Sequence, residues 1–154
     1  MILSMQELEA EPVRKSVFLM NGEQIDEHWP NIARLMAECP GYYDFFTPEW
    51  TYTRAKDGNL QIWAMSDGAI RGIIVSQIVV FPAQKVFEIL GVAGVGMLEF
   101  FDEMEMVFEM IADSAECTMI MARCRPGMER LLRKKHVLKH AVWLYRPVGK
   151  QRRH

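Results

Sequence analysis

The segment from Glu88 to Met97 constrains the fold more than any other part of this chain. It begins as a strand-like stretch, passes Gly91, Gly94 and Gly96, and leads directly into an amphipathic helix. Glycines let backbone N–H groups approach a phosphate closely, and a helix N-terminus adds unpaired N–H groups. The spacing G-x-x-G-x-G lacks the Gly-Lys-Ser/Thr of a P-loop and differs from the dinucleotide-binding G-x-G-x-x-G. Two interpretations follow, a phosphate-binding loop or a structural glycine turn.

The chain before this segment predicts two helices and a set of strands. Residues 1–16 are a polar arm or lead into a first strand near 16–20. Asp26 can cap a helix over 26–38, which places Pro30 in its first turn. Thr47-Pro48-Glu49 starts a second helix that reaches about Lys56.

Three strands follow the second helix. The alternation after Asn59 predicts the first of them, and the turns Asp57-Gly58 and Asp67-Gly68 bound it. Pro82 marks the next turn. The predicted strands, which should form an antiparallel meander, cover residues 60–65, 70–81 and 86–92, and the glycines from Gly91 onward should end the last of them.

The period becomes helical from Met97 to about Asp113. One broad face of this helix is apolar and contains Met97, Phe100, Phe101, Met104, Val107, Phe108 and Ile111, while the other face is acidic. A short strand over 118–123 should pair in parallel with the strand before the glycines, because a helix-length crossover joins them. A helix over 126–135 and a last strand over 137–146 complete a mixed α/β sheet with helices on both faces.

Charge is distributed unevenly along the chain, although the net charge is only −2. Residues 1–120 hold 7 Lys/Arg and 19 Asp/Glu, and residues 121–154 hold 11 Lys/Arg and one acid, Glu129. The basic side chains form their densest cluster at Arg123, Arg125, Arg130, Arg133, Lys134 and Lys135. They can face the acidic helix, a phosphate-bearing ligand or an acidic partner. Nucleic acid is not predicted, because no aromatic residues interleave with the cluster.

The sequence offers no metal site, leader or membrane span. Its three cysteines are odd in number and form no C-x-x-C pair, which indicates reduced thiols in a cytosolic protein. His136 and His140 lie in a predicted turn and strand, where a spacing of four does not bring them together. Residues 1–7 lack the basic and apolar regions of a signal peptide, and the apolar runs are too short to cross a bilayer.

Two groups of apolar residues leave alternatives open. The aromatic segment from Tyr42 to Trp50 can pack in the core or line a substrate entrance. The twelve methionines, notably 97, 104, 106 and 110, can fill an adaptable core or form a partner surface.

Residues 60–150 carry an ordered series of motifs. The series comprises Leu60-Gln61-Ile62-Trp63, Asp67-Gly68-Ala69-Ile70, Val75-Ser76-Gln77-Ile78, the run from Pro82 through the glycine loop, and Ala122-Arg123-Cys124-Arg125-Pro126-Gly127-Met128 with the helix after it. In this order the chain resembles the phage branch of the GNAT (Gcn5-related N-acetyltransferase) superfamily. It is also similar to a small internal virion protein of short-tailed phages.

The resemblance implies a fold, a cofactor and a site. The fold is a GNAT-like mixed, mostly antiparallel sheet with helices on both faces and a V-shaped parallel strand pair. A single domain would span residues 17–148, with a polar tail over 149–154. The cofactor would be acetyl-CoA, and its pyrophosphate would meet Val92, Ala93, Gly94, Val95, Gly96 and the amide of Met97. Glu88 would be the general base on an amine acceptor, or else a solvated or ion-paired strand carboxylate.

The chain departs from the family pattern in two places. Leu132 stands where many members have a catalytic Tyr, and the glycine loop lacks the usual Arg. Two functional hypotheses therefore stay open, a phage-type acyl-CoA-dependent N-acyltransferase with weak or degenerate activity and a non-catalytic virion or accessory protein that binds other phage proteins. Either protein would be found in the host cytoplasm or in the virion.

Overall fold

The structure, a computed structural model, describes residues 14–94 and 97–123 together with Arg146 and Val148. The chain divides into two compact units, residues 1–123 and 124–154, and nearly all of the described residues belong to the first. The predicted helix over 126–135 and the last strand over 137–146 lie outside the described residues, apart from Arg146. The predicted domain boundaries, 17–148 and 149–154, stay predictions.

A five-stranded sheet forms the centre of the first unit, with its strands in chain order. The first three pairings are antiparallel and the last, between the fourth and fifth strands, is parallel. The strands are β1 (Ser16–Leu19), β2 (Gln61–Ser66), β3 (Ile70–Val80), β4 (Lys85–Gly94) and β5 (Met119–Ala122). The predicted meander and the parallel pairing after the helical crossover are confirmed.

Helices cover both faces of this sheet. They are α1 (Gly22–Ala37), the single turn α2 (Tyr42–Phe45), α3 (Pro48–Lys56) and α4 (Phe101–Ser114), and a 3₁₀ turn at Met97–Phe100 leads into α4. The predicted start of α3 is confirmed, because the Thr47 hydroxyl accepts a hydrogen bond from the Trp50 N–H at 3.1 Å. Within the described residues, no helix is both long and apolar enough to cross a membrane.

The predicted start of the first helix was wrong by several residues. Asn21 is the N-cap, since its side chain accepts from the Gln24 N–H at 2.9 Å and Gln24 reaches back to the Asn21 N–H at 2.9 Å. This reciprocal capping box satisfies two N–H groups that Asp26 alone would leave without partners. The helix therefore begins before Asp26, and Pro30 lies in its interior rather than in its first turn.

Asp26 instead braces α1 against α3. Its carboxylate accepts from the Lys56 ammonium at 2.7 Å and from the Tyr52 hydroxyl at 2.7 Å. The hydrogen bond from Lys56, then the one from Tyr52, lower the pKa of Asp26 below its ordinary value of 3.8. The same contact with Asp26 raises the pKa of Lys56.

We expect the contribution of this brace to be lost in acid. A carboxylate whose pKa is lower in the folded state stabilises the fold above its unfolded pKa, and the gain disappears as the pH falls through the folded value. Urea unfolding of the natural chain and Asp26→Asn should therefore differ most at neutral pH and converge below pH 3.8. Asp44→Asn, at an exposed aspartate, is the matched control. A difference that persists unchanged at low pH would contradict this account.

Two apolar layers sandwich the sheet. On one face α1, α2 and α3 cover a cluster that includes Ile32, Met36 and Ile73. On the other face α4 places Met104 and Phe108 against Trp63 and Phe87. The alternating residues of the central strands supply both layers, as expected for a sheet that is buried on both faces.

The length of β4 and the exposure of two α4 methionines differ from prediction. Strand β4 continues through Gly91 to Gly94, because β3 pairs with it over that length. Of the α4 methionines, Met104 is buried, but Met106 and Met110 are 60% and 65% exposed. Core packing is therefore the wrong interpretation for Met106 and Met110, since the helical period turns both of them toward solvent.

Candidate functional site

The parallel strand pair parts where β4 passes the end of β5. Pairing runs from Val86 with Met119 to Ile89 with Ala122, and the Arg123 N–H then donates to the Ile89 carbonyl at 3.2 Å. Beyond Ile89, β4 continues to Gly94, and β3 is the one described strand that pairs with it there. Backbone groups of β4 beyond Ile89 therefore have no described strand on their β5 side.

An irregularity in β4 lies at the same point. Val75 pairs with Gly91 and Ser76 pairs with Ile89, so Leu90 is an extra residue on β4. Such a bulge bends its strand and increases the local twist. The bulge therefore lies directly after the last residue of β4 that pairs with β5, and the V shape of the pair stays a prediction.

Glu88 lies one residue before the point of separation. Phe87 and Ile89 contact the α4 layer, so the alternation of the strand directs Glu88 to the opposite face, toward α1–α3. The residue is only 8% exposed, and its Oε1 accepts from Nη2 of Arg123 at 3.2 Å. The structure thus pairs a carboxylate from β4 with a guanidinium from the end of β5.

Aromatic residues from the segment after α1 stand beside this ion pair. The Arg123 guanidinium lies over the Phe46 ring at 5.6 Å, and Phe46 stacks on Trp50 with centroids 4.9 Å apart. Arg54 covers Trp50 in turn, at 5.2 Å. Cations over aromatic faces gain electrostatic attraction from the rings, so this row holds the Arg123 side chain toward Glu88.

The aromatic segment divides between the core and the surroundings of Arg123, and its role as a substrate entrance stays a prediction. Tyr42 is buried in the core, where its hydroxyl bonds that of Thr51 at 2.8 Å, and burial raises the pKa of Tyr42 to about 12. Phe46 and Trp50 are half-buried and form the wall beside Arg123, whereas Phe45 is exposed. Gly91 passes beneath Tyr42, because a Cβ there would lie 3.1 Å from its ring.

The residues predicted to hold a cofactor occupy different environments. Val92 packs toward α4 and Ala93 is buried on the α1–α3 side. Gly94 ends β4, and Met97 begins the 3₁₀ turn. Val95 and Gly96 lie outside the described residues. No Lys or Arg occurs over residues 86–118, and Glu99, Asp102 and Glu103 follow the loop closely.

Gly94 is required by the strand pairing itself. It has φ +119 and pairs with Gly72, and a Cβ on Gly94 would meet the Arg71 carbonyl oxygen and would lie 2.5 Å from the Gly72 Cα. Its lack of a side chain allows β3 and β4 to approach closely at this end. A larger residue at Gly94 would therefore disturb the sheet before it affected any ligand.

Gly94→Ala should destabilise the chain more than Gly58→Ala. Gly58 also has a positive φ, +79, but a Cβ there meets nothing within 4 Å. Alanine at Gly58 should lower the free energy of unfolding only by the cost of a left-handed backbone conformation, about 1–2 kcal/mol. Alanine at Gly94 adds a backbone clash to that penalty. Urea unfolding of the two variants tests the difference, and equal losses would show that the strand end adjusts without cost.

Sequence patterns indicated the parts of this site but not their contact. Glu88, the aromatic segment and Arg123 are each recognisable in the sequence, but nothing in their spacing predicts that they meet. The charge pattern groups Arg123 with the basic residues that follow it and allows it to face the acidic helix. In the structure it pairs with Glu88. Leu132 and the rest of the basic cluster lie outside the described residues.

A metal site is not evident in the part of the chain that the structure describes. There, no group of three or more His, Cys, Asp or Glu residues is placed to hold an ion. The site instead contains an ion pair between one carboxylate, Glu88, and one guanidinium, Arg123.

Comparisons with known proteins identify the fold. No family model matches the sequence, and no curated protein matches it either. The chain is similar in structure to an aminoglycoside acetyltransferase from an uncultured soil metagenomic sample, solved with sisomicin, at 8% identity and a TM-score of 0.65. That match covers 88% of this chain and 97% of the other.

Two further solved structures agree. Glucosamine-6-phosphate N-acetyltransferase from Arabidopsis thaliana matches with a TM-score of 0.61 and 10% identity over 88% of this chain and 99% of the other. A GCN5-related N-acetyltransferase from Ralstonia eutropha matches with a TM-score of 0.61 and 12% identity over the same shares. At these identities the likeness establishes the fold alone, and the predicted GNAT-like architecture is confirmed.

Proposed function

We propose that the chain is an acyl-CoA-dependent N-acyltransferase of phage type whose activity is weak or degenerate. The observation that carries the proposal is the end of the β4–β5 pairing at Ile89, directly after Glu88 and together with the bulge at Leu90. Among the described residues, this arrangement places a strand edge without a second neighbouring strand beside a buried carboxylate. The assignment to phages depends on the sequence resemblance.

The described residues fit the extended part of acetyl-CoA better than its phosphates. The edge of β4 beyond Ile89, which has no second neighbour among the described strands, would offer backbone groups to an amide-containing chain. The residues that would hold the cofactor are Val92, Ala93, Gly94, Val95, Gly96 and the amide of Met97, of which Val95 and Gly96 lie outside the described residues. Because residues 86–118 contain no Lys or Arg, the glycine loop itself offers a pyrophosphate only backbone amides. Each missing charge-assisted hydrogen bond costs about 1.5–3 kcal/mol, so binding should be weak.

Bound acetyl-CoA would supply an activated acyl group. Glu88 would take a proton from the incoming ammonium at its carboxylate, which requires that Arg123 shares or releases Oε1. Phe46, beside Arg123, would form the apolar wall of the acceptor position. With Leu132 in place of the family's Tyr, turnover should be slow, because acid–base assistance typically contributes about 10²–10⁴ in rate.

Calorimetry with acetyl-CoA and with CoA tests the proposal. A paired charge variant sharpens the test, since Val95→Arg supplies the cation that the loop lacks and Val95→Glu adds an anion in the same position. One recovered charge-assisted hydrogen bond should tighten CoA binding by about tenfold or more for Val95→Arg, and Val95→Glu should weaken it. If neither ligand binds at millimolar concentration to any of the three proteins, the chain is not an acyl-CoA enzyme.

A second candidate function rests on the outer face of α4. Met106 and Met110 stand one turn apart at 60% and 65% exposure. They lie among the exposed acids Asp102, Glu109 and Asp113. Exposed methionines ringed by charge are typical of adaptable partner surfaces. We infer, as the alternative to catalysis, a non-catalytic phage virion or accessory protein whose α4 face binds a basic amphipathic segment of another phage protein.

Surface variants distinguish this alternative from catalysis. Copurification of the chain with phage particles should fall for Met106→Ser/Met110→Ser and at raised salt, because the contact would combine apolar and charged groups. Leu19→Ser, at a residue that is 50% exposed on β1, is the control. Unchanged copurification of the double variant would exclude the α4 face, whatever the calorimetry shows.

A further inference from the structure

A surface pocket lies between α1 and α3. Its volume is about 280 Å³, and Trp29, Pro48, Glu49, Tyr52 and Thr53 line it. Small-molecule sites usually measure about 300–1,000 Å³, so this pocket suits a head group rather than a large ligand.

The aromatic walls of the pocket are held in place. Trp29 and Tyr52 meet edge to face, with centroids 5.1 Å apart and ring planes at 63°. The Tyr52 hydroxyl donates to Asp26 at 2.7 Å, and Lys56 holds the same carboxylate from its other oxygen. Because the brace between α1 and α3 already orders these side chains, a ligand would not have to order them on binding.

The charge on the pocket wall is negative. Glu49 is the one residue that is charged at neutral pH among the five that line it. The nearby Lys56 ammonium is engaged by Asp26 at 2.7 Å and by the Gly22 carbonyl at 3.1 Å. Donation of the Tyr52 proton toward a carboxylate increases the electron density of its ring, and the same hydrogen bond raises the pKa of Tyr52. Electron-rich rings attract cations over their faces.

We propose that this pocket binds an alkylammonium head group, with Trp29 and Tyr52 as its aromatic walls and Glu49 as its counter-charge. An anion would be repelled by Glu49, and a neutral apolar group would gain nothing from that carboxylate. The proposal is independent of acyl transfer.

The pocket is separate from the surroundings of Glu88. Pro48, Glu49, Tyr52 and Thr53 share one side of α3, because residues four apart on a helix are neighbours. Trp50 and Arg54 occupy another side of the helix, where Trp50 stacks on Phe46 beside Arg123. A cation in this pocket is therefore not the acceptor amine at Glu88.

Indole N–H signals in NMR spectra of the full chain provide the test. The chain has four tryptophans, and Trp29→Phe identifies the signal of Trp29. Choline is the probe, and 3,3-dimethylbutan-1-ol is its uncharged isostere. Choline should shift the Trp29 signal saturably, with an affinity about two- to fivefold higher than that of the isostere. Unchanged signals from the other indoles would verify that each variant is folded.

Matched carboxylate variants complete the design. Glu49→Gln should weaken choline binding by about two- to fivefold, and Glu23→Gln, at an exposed residue of α1 outside the pocket wall, should leave it unchanged. Titration with n-butylammonium distinguishes two kinds of natural ligand. If n-butylammonium binds more tightly than choline, the ligand is a lysine-like primary amine, and if it binds more weakly, the ligand is a quaternary amine. Three results would overturn the proposal. They are equal affinities for choline and its isostere, an equal loss of choline affinity in Glu49→Gln and Glu23→Gln, and a Trp29 signal that does not shift at about 100 mM choline.

Discussion

Phe87→Ala should lower the free energy of unfolding by about 3–5 kcal/mol. Phe87 is 0% exposed at the centre of the α4 layer, and its ring lies 5.1 Å from that of Phe108 and 6.3 Å from that of Trp63. Truncation removes the transfer energy of the ring and leaves a cavity between the sheet and α4 that two large neighbours cannot fill without leaving their own positions.

Phe45→Ala is the matched control for that variant. It makes the same chemical change at a ring that is 62% exposed, so its cost should be well below that of Phe87→Ala. Urea unfolding followed by far-ultraviolet circular dichroism measures both variants. Similar losses would show that the α4 layer is not the tightly packed core described above, and a loss at Phe87 below about 1.5 kcal/mol would indicate extensive repacking.

Glu88→Gln should lower the rate of acyl transfer by about 10²–10⁴ if the chain is the enzyme proposed. Glutamine keeps an oxygen that can accept from Arg123 at the position of Oε1, so the contact between β4 and β5 is retained. It removes the carboxylate that would take the proton of the amine. The loss should therefore appear in kcat measured at saturating acetyl-CoA, while calorimetric binding of acetyl-CoA stays unchanged.

Glu109→Gln controls for the loss of one negative charge. Glu109 is exposed on α4, away from the Glu88 side of the sheet, and its removal should not change the rate. Unfolding curves verify that Glu88→Gln is folded at the assay temperature. A rate that is unchanged at every pH would remove Glu88 from the chemistry and leave it as a structural partner of Arg123.

Local patterns in the sequence were sufficient to predict most of the elements. Alternation identified the strand around Ile62, a run of β-branched residues identified the strand around Ile74, and the cap Thr47 with Pro48 identified the start of α3. The crossover length also predicted that β5 is parallel to β4. These predictions succeed because backbone hydrogen bonding and side-chain period are decided within a few residues.

The predicted start of α1 and the predicted end of β4 were wrong because nearby residues favour different boundaries for the same element. Asn21 and Asp26 are both residue types that cap helices well. The two reciprocal hydrogen bonds with Gln24 make Asn21 the N-cap of α1. Gly91 reads as a strand break, yet it continues β4 because β3 pairs with it and Tyr42 covers it. The tertiary neighbours of a glycine determine whether it ends a strand.

The site and the pocket were decided by tertiary structure. Glu88 and Arg123 are 35 residues apart, and Asp26 and Tyr52 are 26 apart. Strand register places the first pair in contact, and the packing of α1 on α3 places the second. Local residue patterns were enough to establish which segments are strands and helices and which of their faces are apolar. They did not determine which charged and aromatic side chains meet, because those contacts depend on register and helix packing, to which many distant residues each contribute a small energy.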